Sequence, residues 1–144
     1  MGVRIIVLSC LALTFINTDA KVENFYFRNI TVEDGLPSSY ISSIAQDQDG
    51  FMWFGTAEGL SRYDGYTFLN FSHLADDTLS LINNDVRTIV PDNENGLWIG
   101  TQKGLNYLNL ETYCFERFTG KYKENIGAFW INTVCLLDNE NILV

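Results

Sequence analysis

Residues 41–64 recur at 86–109. Laid over one another at a constant offset of 45, seven of the 24 positions are identical: Ile44 and Ile89, Asp47 and Asp92, Trp53 and Trp98, Gly55 and Gly100, Thr56 and Thr101, Gly59 and Gly104, Leu60 and Leu105. Random matching at average residue usage gives about one or two. A chain repeating at this period stacks supersecondary units, each covering an apolar face of the next. Leu36 and Leu81 carry the offset upstream. A third copy begins at Thr133-Val134-Cys135, and Asp138-Asn139-Glu140-Asn141 echoes Asp92-Asn93-Glu94-Asn95, which puts Val144 at the place of Trp98.

Within each unit the pattern is four short strands separated by turn residues, with no sustained helical period after residue 20. In the second unit strands are predicted at 86–90, 97–101, 105–110 and 115–118. Asp92 to Gly96 forms the first turn and Gln102-Lys103-Gly104 the second, because Asx side chains bond nearby backbone and Gly or Asn tolerates positive φ. The first unit gives strands at 51–56, 60–64 and 68–71 after a turn at 47–50. Phe27-Arg28-Asn29-Ile30 reads as one more strand of the fourth type, standing ahead of the first complete unit. Four strands per unit of this length is the signature of a β-propeller blade. A leading fourth-type strand is what a circular array uses to close its last blade.

Composition narrows the function. Nine Lys and Arg against 18 Asp and Glu give a net charge of -9, which supplies no basic surface for a phosphate backbone and excludes nucleic acid as a partner. Residues 1–20 have a secretory leader's layout: Arg4, an apolar run from Ile5 to Ile16, then Thr18-Asp19-Ala20. Twelve residues rise about 18 Å as helix, short of the roughly 30 Å hydrocarbon layer, so cleavage after Ala20 is expected rather than a membrane span. Cys114 and Cys135 then remain, without CxxC spacing, and read as small buried hydrophobes on separate strands, with a disulfide open to them in an oxidising compartment.

These motifs resemble the two-component-regulator propeller repeats. Gly35-Leu36-Pro37-Ser38-Ser39, the run from Ile44 to Thr56, Gly59-Leu60 and Arg62-Tyr63-Asp64-Gly65 are similar to one such repeat, and Gly96 to Thr101 with Gly104-Leu105 to the next. The resemblance implies an all-β fragment of a seven-bladed β-propeller with blades of four antiparallel strands. It divides the chain into a leader at 1–20, a closing strand at 21–38, a first blade at 39–71, a loop at 72–83, a second blade at 84–120 and the start of a third at 121–144. It further implies a periplasmic, oligosaccharide-detecting segment of a hybrid sensor, passing its signal to a histidine kinase outside this chain. The parent would be a homodimer held in the inner membrane by a helix downstream, and this segment would have neither catalysis nor cofactor. Two other classes compete with the sensor: a protein-interaction propeller, and a fragment of a propeller lyase or hydrolase, which would need a His with acidic or aromatic partners.

The repeated residues read as structure. Asp47 and Asp92 make turns, and Trp53 and Trp98 recur at one strand position and so pack between blades. Gly55 and Gly100 admit a neighbouring backbone. Thr56 and Thr101 bond near the turns at Gly59 and Gly104, while Leu60 and Leu105 fill the core. His73, the one histidine, reads as a solvated loop residue. Asp47, Asp49 and Glu58 fit an EF-hand loop at positions 1, 3 and 12, but Phe51 and Met52 stand where a ligand and the turn Gly belong, so no metal is expected. The candidate ligand contacts are Tyr66, Asn83, Asn84 and Tyr107, groups suited to stacking on sugars and bonding their hydroxyls.

Overall fold

The computed structural model describes residues 26–92, 94–118, 130–137 and 141–144; the leader expected at 1–20 lies outside them. Strands β1 (Ile41–Gln46), β2 (Met52–Thr56), β3 (Gly59–Tyr63) and β4 (Phe68–Phe71) form one antiparallel sheet in that order. The second sheet repeats it with β5 (Val86–Pro91), β6 (Gly96–Thr101), β7 (Gly104–Asn109) and β8 (Phe115–Phe118). A third begins as β9 (Cys135–Leu136) paired with β10 (Ile142–Leu143). The fold is that of β-propeller blades, and among the described residues the one helical turn is a 3-10 turn at Val32–Asp34.

Local chemistry sets the turns. Asp47 Oδ1 accepts the amides of Asp49 (3.1 Å) and Phe51 (2.9 Å), and Asp92 Oδ1 accepts those of Glu94 (2.9 Å) and Gly96 (2.8 Å). Each blade thereby closes its β1–β2 or β5–β6 turn on an Asx carboxylate. At the next turn Thr56 Oγ1 donates to the Gly59 carbonyl (2.9 Å) and Thr101 Oγ1 to that of Gly104 (2.8 Å). Gly59 holds φ at 134°, and a Cβ there would come within 2.4 Å of the Phe71 carbonyl oxygen. Glycine is required on both counts.

Blades meet face to face. Ile89, Leu97, Ile99, Leu108 and Phe115 of the second sheet are buried against Trp53 and Leu60 of the first, with Leu81 and Val86 in the same cluster. Each fully buried aliphatic side chain contributes about 1.5–3 kcal/mol. A Cβ on Gly55 would sit 2.7 Å from Val86 Cγ1, and one on Gly100 would sit 2.6 Å from Ile131 Cγ2. The third unit therefore docks on the second as the second docks on the first. Leu105, Ile131 and Val134 are the buried core of that second junction.

The sheets approach most closely at β1 and β5, so these first strands form the inner edge. Both carry a bulge, between Ile41 and Ser43 and between Val86 and Thr88. Across it Ser42 Oγ donates to the Val86 carbonyl (2.6 Å) and Ser43 Oγ accepts the Ile89 amide (3.1 Å).

Several expectations change. β7 ends at Asn109 rather than at residue 110: the Leu110 amide still donates to the Asn95 carbonyl opposite it (3.1 Å), but Asn95 has left the extended region at φ 76°. Residues 27–30, expected to complete a last blade that is not among the described residues, join no sheet there, which leaves that expectation as it stood, and Tyr26 and Phe27 stand exposed. Leu143 pairs with Cys135 as Trp98 pairs with Val90, so the third unit keeps the offset of 45 and Leu143, not Val144, takes the tryptophan position. Cys114 and Cys135 are exposed free thiols instead of buried hydrophobes: Cys114 precedes β8 rather than lying in it, after Tyr113 at φ 55°.

Candidate functional site

In antiparallel blades the turns alternate between two ends. One end carries the β2–β3 and β6–β7 hairpins and the connections leading into β1 and β5; the other carries the turns built on Asp47, Asp64 and Asp92.

The connection from β4 to β5 is held rigidly to its blade. The Arg117 guanidinium on β8 donates to the carbonyls of Ser80 (2.8 Å), Asp77 (2.7 Å) and Leu81 (2.9 Å) and to Ser80 Oγ (2.8 Å). Buried Asn106 accepts the Ile82 amide (3.1 Å). His73 is exposed, yet its amide donates to Asn84 Oδ1 (2.6 Å) and its Nδ1 lies 2.7 Å from the Leu81 carbonyl. Asn83 Oδ1 accepts the Asp85 amide (3.1 Å). The side-chain carbonyls of both asparagines thus hold the loop, leaving their amide nitrogens to offer a ligand.

Tyr66 lies at the opposite end. It is 88% exposed on the β3–β4 turn, where Asp64 Oδ1 accepts the amides of Tyr66 (2.8 Å) and Thr67 (2.7 Å). Those bonds, the Thr67 amide foremost, hold the Asp64 carboxyl below its ordinary range. Tyr107 is half-buried on β7 and donates to Asp92 Oδ2 (2.7 Å). Burial first, then the Asp92 bond, push its phenol up to about 12. The four sequence candidates therefore do not converge: Asn83 and Asn84 share one end, while Tyr66 and the Tyr107 hydroxyl belong to the other.

The repeated positions divide in another way. Trp53 is fully buried, and its indole donates to Asp47 Oδ2 (2.7 Å); Trp98 is half-buried, with its ring 4.8 Å from that of Tyr107. The Asp47 carboxylate is thus committed to two amides and an indole, so it is not laid out as a cation ligand. Among the described residues no three His, Cys, Asp or Glu groups gather as a metal site.

Two concavities or clusters remain. A cleft of about 220 Å³ opens between the outer strand β4, the connection and β8, lined by Phe71, Leu79, Ser80, Tyr113 and Phe115 among others. Its Ser80 hydroxyl is already bonded to the loop. The second cluster stands at the inner edge, on the end with the connections. Tyr40 directly before β1, Asp85 directly before β5 and Trp130, five residues ahead of β9, stand in register at the offset of 45. Tyr40 is 60% and Trp130 63% exposed. Asp85 Oδ2 accepts from the Arg87 guanidinium at 2.7 Å, and Arg87 Cζ lies 5.9 Å from the Trp130 ring centroid. Reading residue types alone passed over this set; the signal was the offset itself, which carries Tyr40 to Asp85 and on to Trp130.

Residues 35–58 and 80–103 match the two component regulator propeller family. Over 77 residues, 52% of this chain, the sequence is 36% identical to histidine kinase P4 of Formosa agariphila, spanning 6% of that protein. The structure is similar to the extracellular domain assigned to the hybrid two component system BT3049 of B. thetaiotaomicron, with TM-score 0.62 and 32% identity, over 74% of this chain and 15% of that one. It is similar also to the extracellular domain assigned to the one component system BT4673 of the same organism, with TM-score 0.52 and 30% identity, over 62% of this chain and 13% of that one.

Proposed function

This chain carries two copies of the two component regulator propeller repeat, and from that premise we propose that it is part of an extracytoplasmic, periplasmic sensor propeller. It detects oligosaccharide and relays the signal to a histidine kinase beyond these residues, with no catalysis of its own. The observation that carries the reading is the likeness to extracellular two-component domains over 74% of the chain at 32% identity. Rigid blades with ligand chemistry on their connecting loops suit such a role. The acidic surface suits neutral ligands better than anionic ones.

In this reading the ring closes on the first blade. Ile44 is 57% exposed where its counterpart Ile89 is 6% exposed, and the last blade covers that difference. The segment at 27–30 completes that blade as its outer strand, and the parent protein is a homodimer.

The test is calorimetry on the complete extracellular region with a panel of defined oligosaccharides. Saturable binding supports the sensor. Binding of a protein partner with no response to any oligosaccharide replaces it with an interaction scaffold.

A further inference from the structure

The bulge on each first strand aims one side chain at the next unit. In the first blade that residue is Ser42, whose hydroxyl closes a bond to the Val86 carbonyl. In the second it is Arg87, and the outcome differs. Its guanidinium pairs with Asp85 at 2.7 Å and lies by Trp130, while its Nε is buried without an acceptor. A buried donor left unpaired calls for an explanation. So does an indole 63% exposed whose next residue along the chain, Ile131, is buried.

We propose that Asp85, Arg87 and Trp130 form a subsite for one neutral pyranose ring at the mouth of the channel. The proposal rests on the glycan-sensing reading above and names the residues that carry it. The indole face takes the C–H face of the sugar, as aromatic platforms do. The ion pair offers an acceptor and several donors within one small area, which suits adjacent hydroxyls. Neutrality follows from charge: Asp85 already balances Arg87, and the chain as a whole stands at -9. Tyr40 occupies the same register position on the first blade, 60% exposed, and extends the platform for a longer chain.

The experiment uses the full-length protein, with cellohexaose, xylohexaose and mannohexaose as neutral probes and trigalacturonate as the anionic one. Binding is read by calorimetry, and contact at Trp130 by its protection from oxidative footprinting. The expected result is saturable binding of a neutral probe that protects Trp130, weakened about tenfold or more by Trp130→Ala and by Arg87→Ala and largely restored by Trp130→Phe. Binding of a neutral probe with Trp130 unprotected and both alanine variants within about twofold of wild type overturns the subsite and leaves glycan sensing standing. Loss of that binding on Tyr66→Ala alone does the same and moves the site to the opposite end. Preference for trigalacturonate overturns the neutral assignment. Absence of binding to every probe overturns both the subsite and the sensor reading.

Discussion

The two complete blades share a frame and differ in how it is filled. In the first, Asp47 Oδ2 takes the Trp53 indole, and Arg62 lies 4.3 Å over the Phe51 ring. In the second, residue 96 is glycine where the first has Phe51, and residue 107 is tyrosine where the first has Arg62. The Tyr107 phenol fills the vacated space, so that a Cβ on Gly96 would come 2.0 Å from its hydroxyl, and it reaches Asp92 Oδ2 in the indole's stead. The same carboxylate oxygen is satisfied by a different donor in each blade. What repeats is therefore the demand of the turn, and what varies is a matched pair of side chains that meets it.

The sharpest way to break that comparison is at the tryptophans. Trp53→Ala removes a fully buried ring and leaves the second oxygen of buried Asp47 without its indole donor, and is expected to cost about 3–5 kcal/mol. Trp98→Ala, at a half-buried ring whose carboxylate is served by Tyr107, costs distinctly less; chemical denaturation of the two variants measures the difference. Next comes the neighbour effect. Ile89→Ala should cost about 2–4 kcal/mol and Ile44→Ala within about 0.5 in the 144-residue chain, since only Ile89 has a blade against it. Equal losses at both would mean that the first blade's face is covered by something other than a further blade.

A smaller effect tests compensation directly. Gly96→Phe alone collides with Tyr107 and is expected to cost about 1–3 kcal/mol. Adding Tyr107→Arg recreates the first blade's pair and should recover about 1 kcal/mol or more in a double-mutant cycle. Additive losses would show that the two positions are independent. The smallest effect is on pH. The Tyr107 phenol is raised to about 12 in the folded chain, against about 10 when unfolded. Its contribution to stability is therefore complete below pH 10 and fades as pH rises toward 12. Ultraviolet titration should show one late-ionising tyrosine that Tyr107→Phe removes.

Much of the fold was legible because it is written in short-range chemistry. An aspartate two and four residues before the amides it accepts, a threonine three before a glycine with positive φ, and a glycine facing the next strand each fix their own neighbourhood. Their spacing then lays out the sheets. The ligand candidates were chosen by residue type, and type does not say at which end of a blade a residue falls. Tyr66 and Asn83 both suit a sugar, yet antiparallel strands send their turns to opposite ends. Asp85, Arg87 and Trp130 come together only because the third unit packs against the first strand of the second, a property of the stack. The cysteines misled for a related reason. Cys114 lies within an apolar run, Tyr113 to Phe115, but Tyr113 turns the chain through positive φ just before it, so the alternation expected of a strand does not begin until Phe115.

The central claim is that these sheets are consecutive blades of one ring, in which the first blade's open face is covered by the last. Thiol labelling tests it most directly, in the complete extracellular region with Cys114 and Cys135 changed to serine and a single cysteine introduced by Ile44→Cys or by Ile89→Cys. The account predicts that the cysteine at position 44 reacts as slowly as the one at 89. Fast labelling at 44 beside slow labelling at 89, in a folded protein, would contradict it.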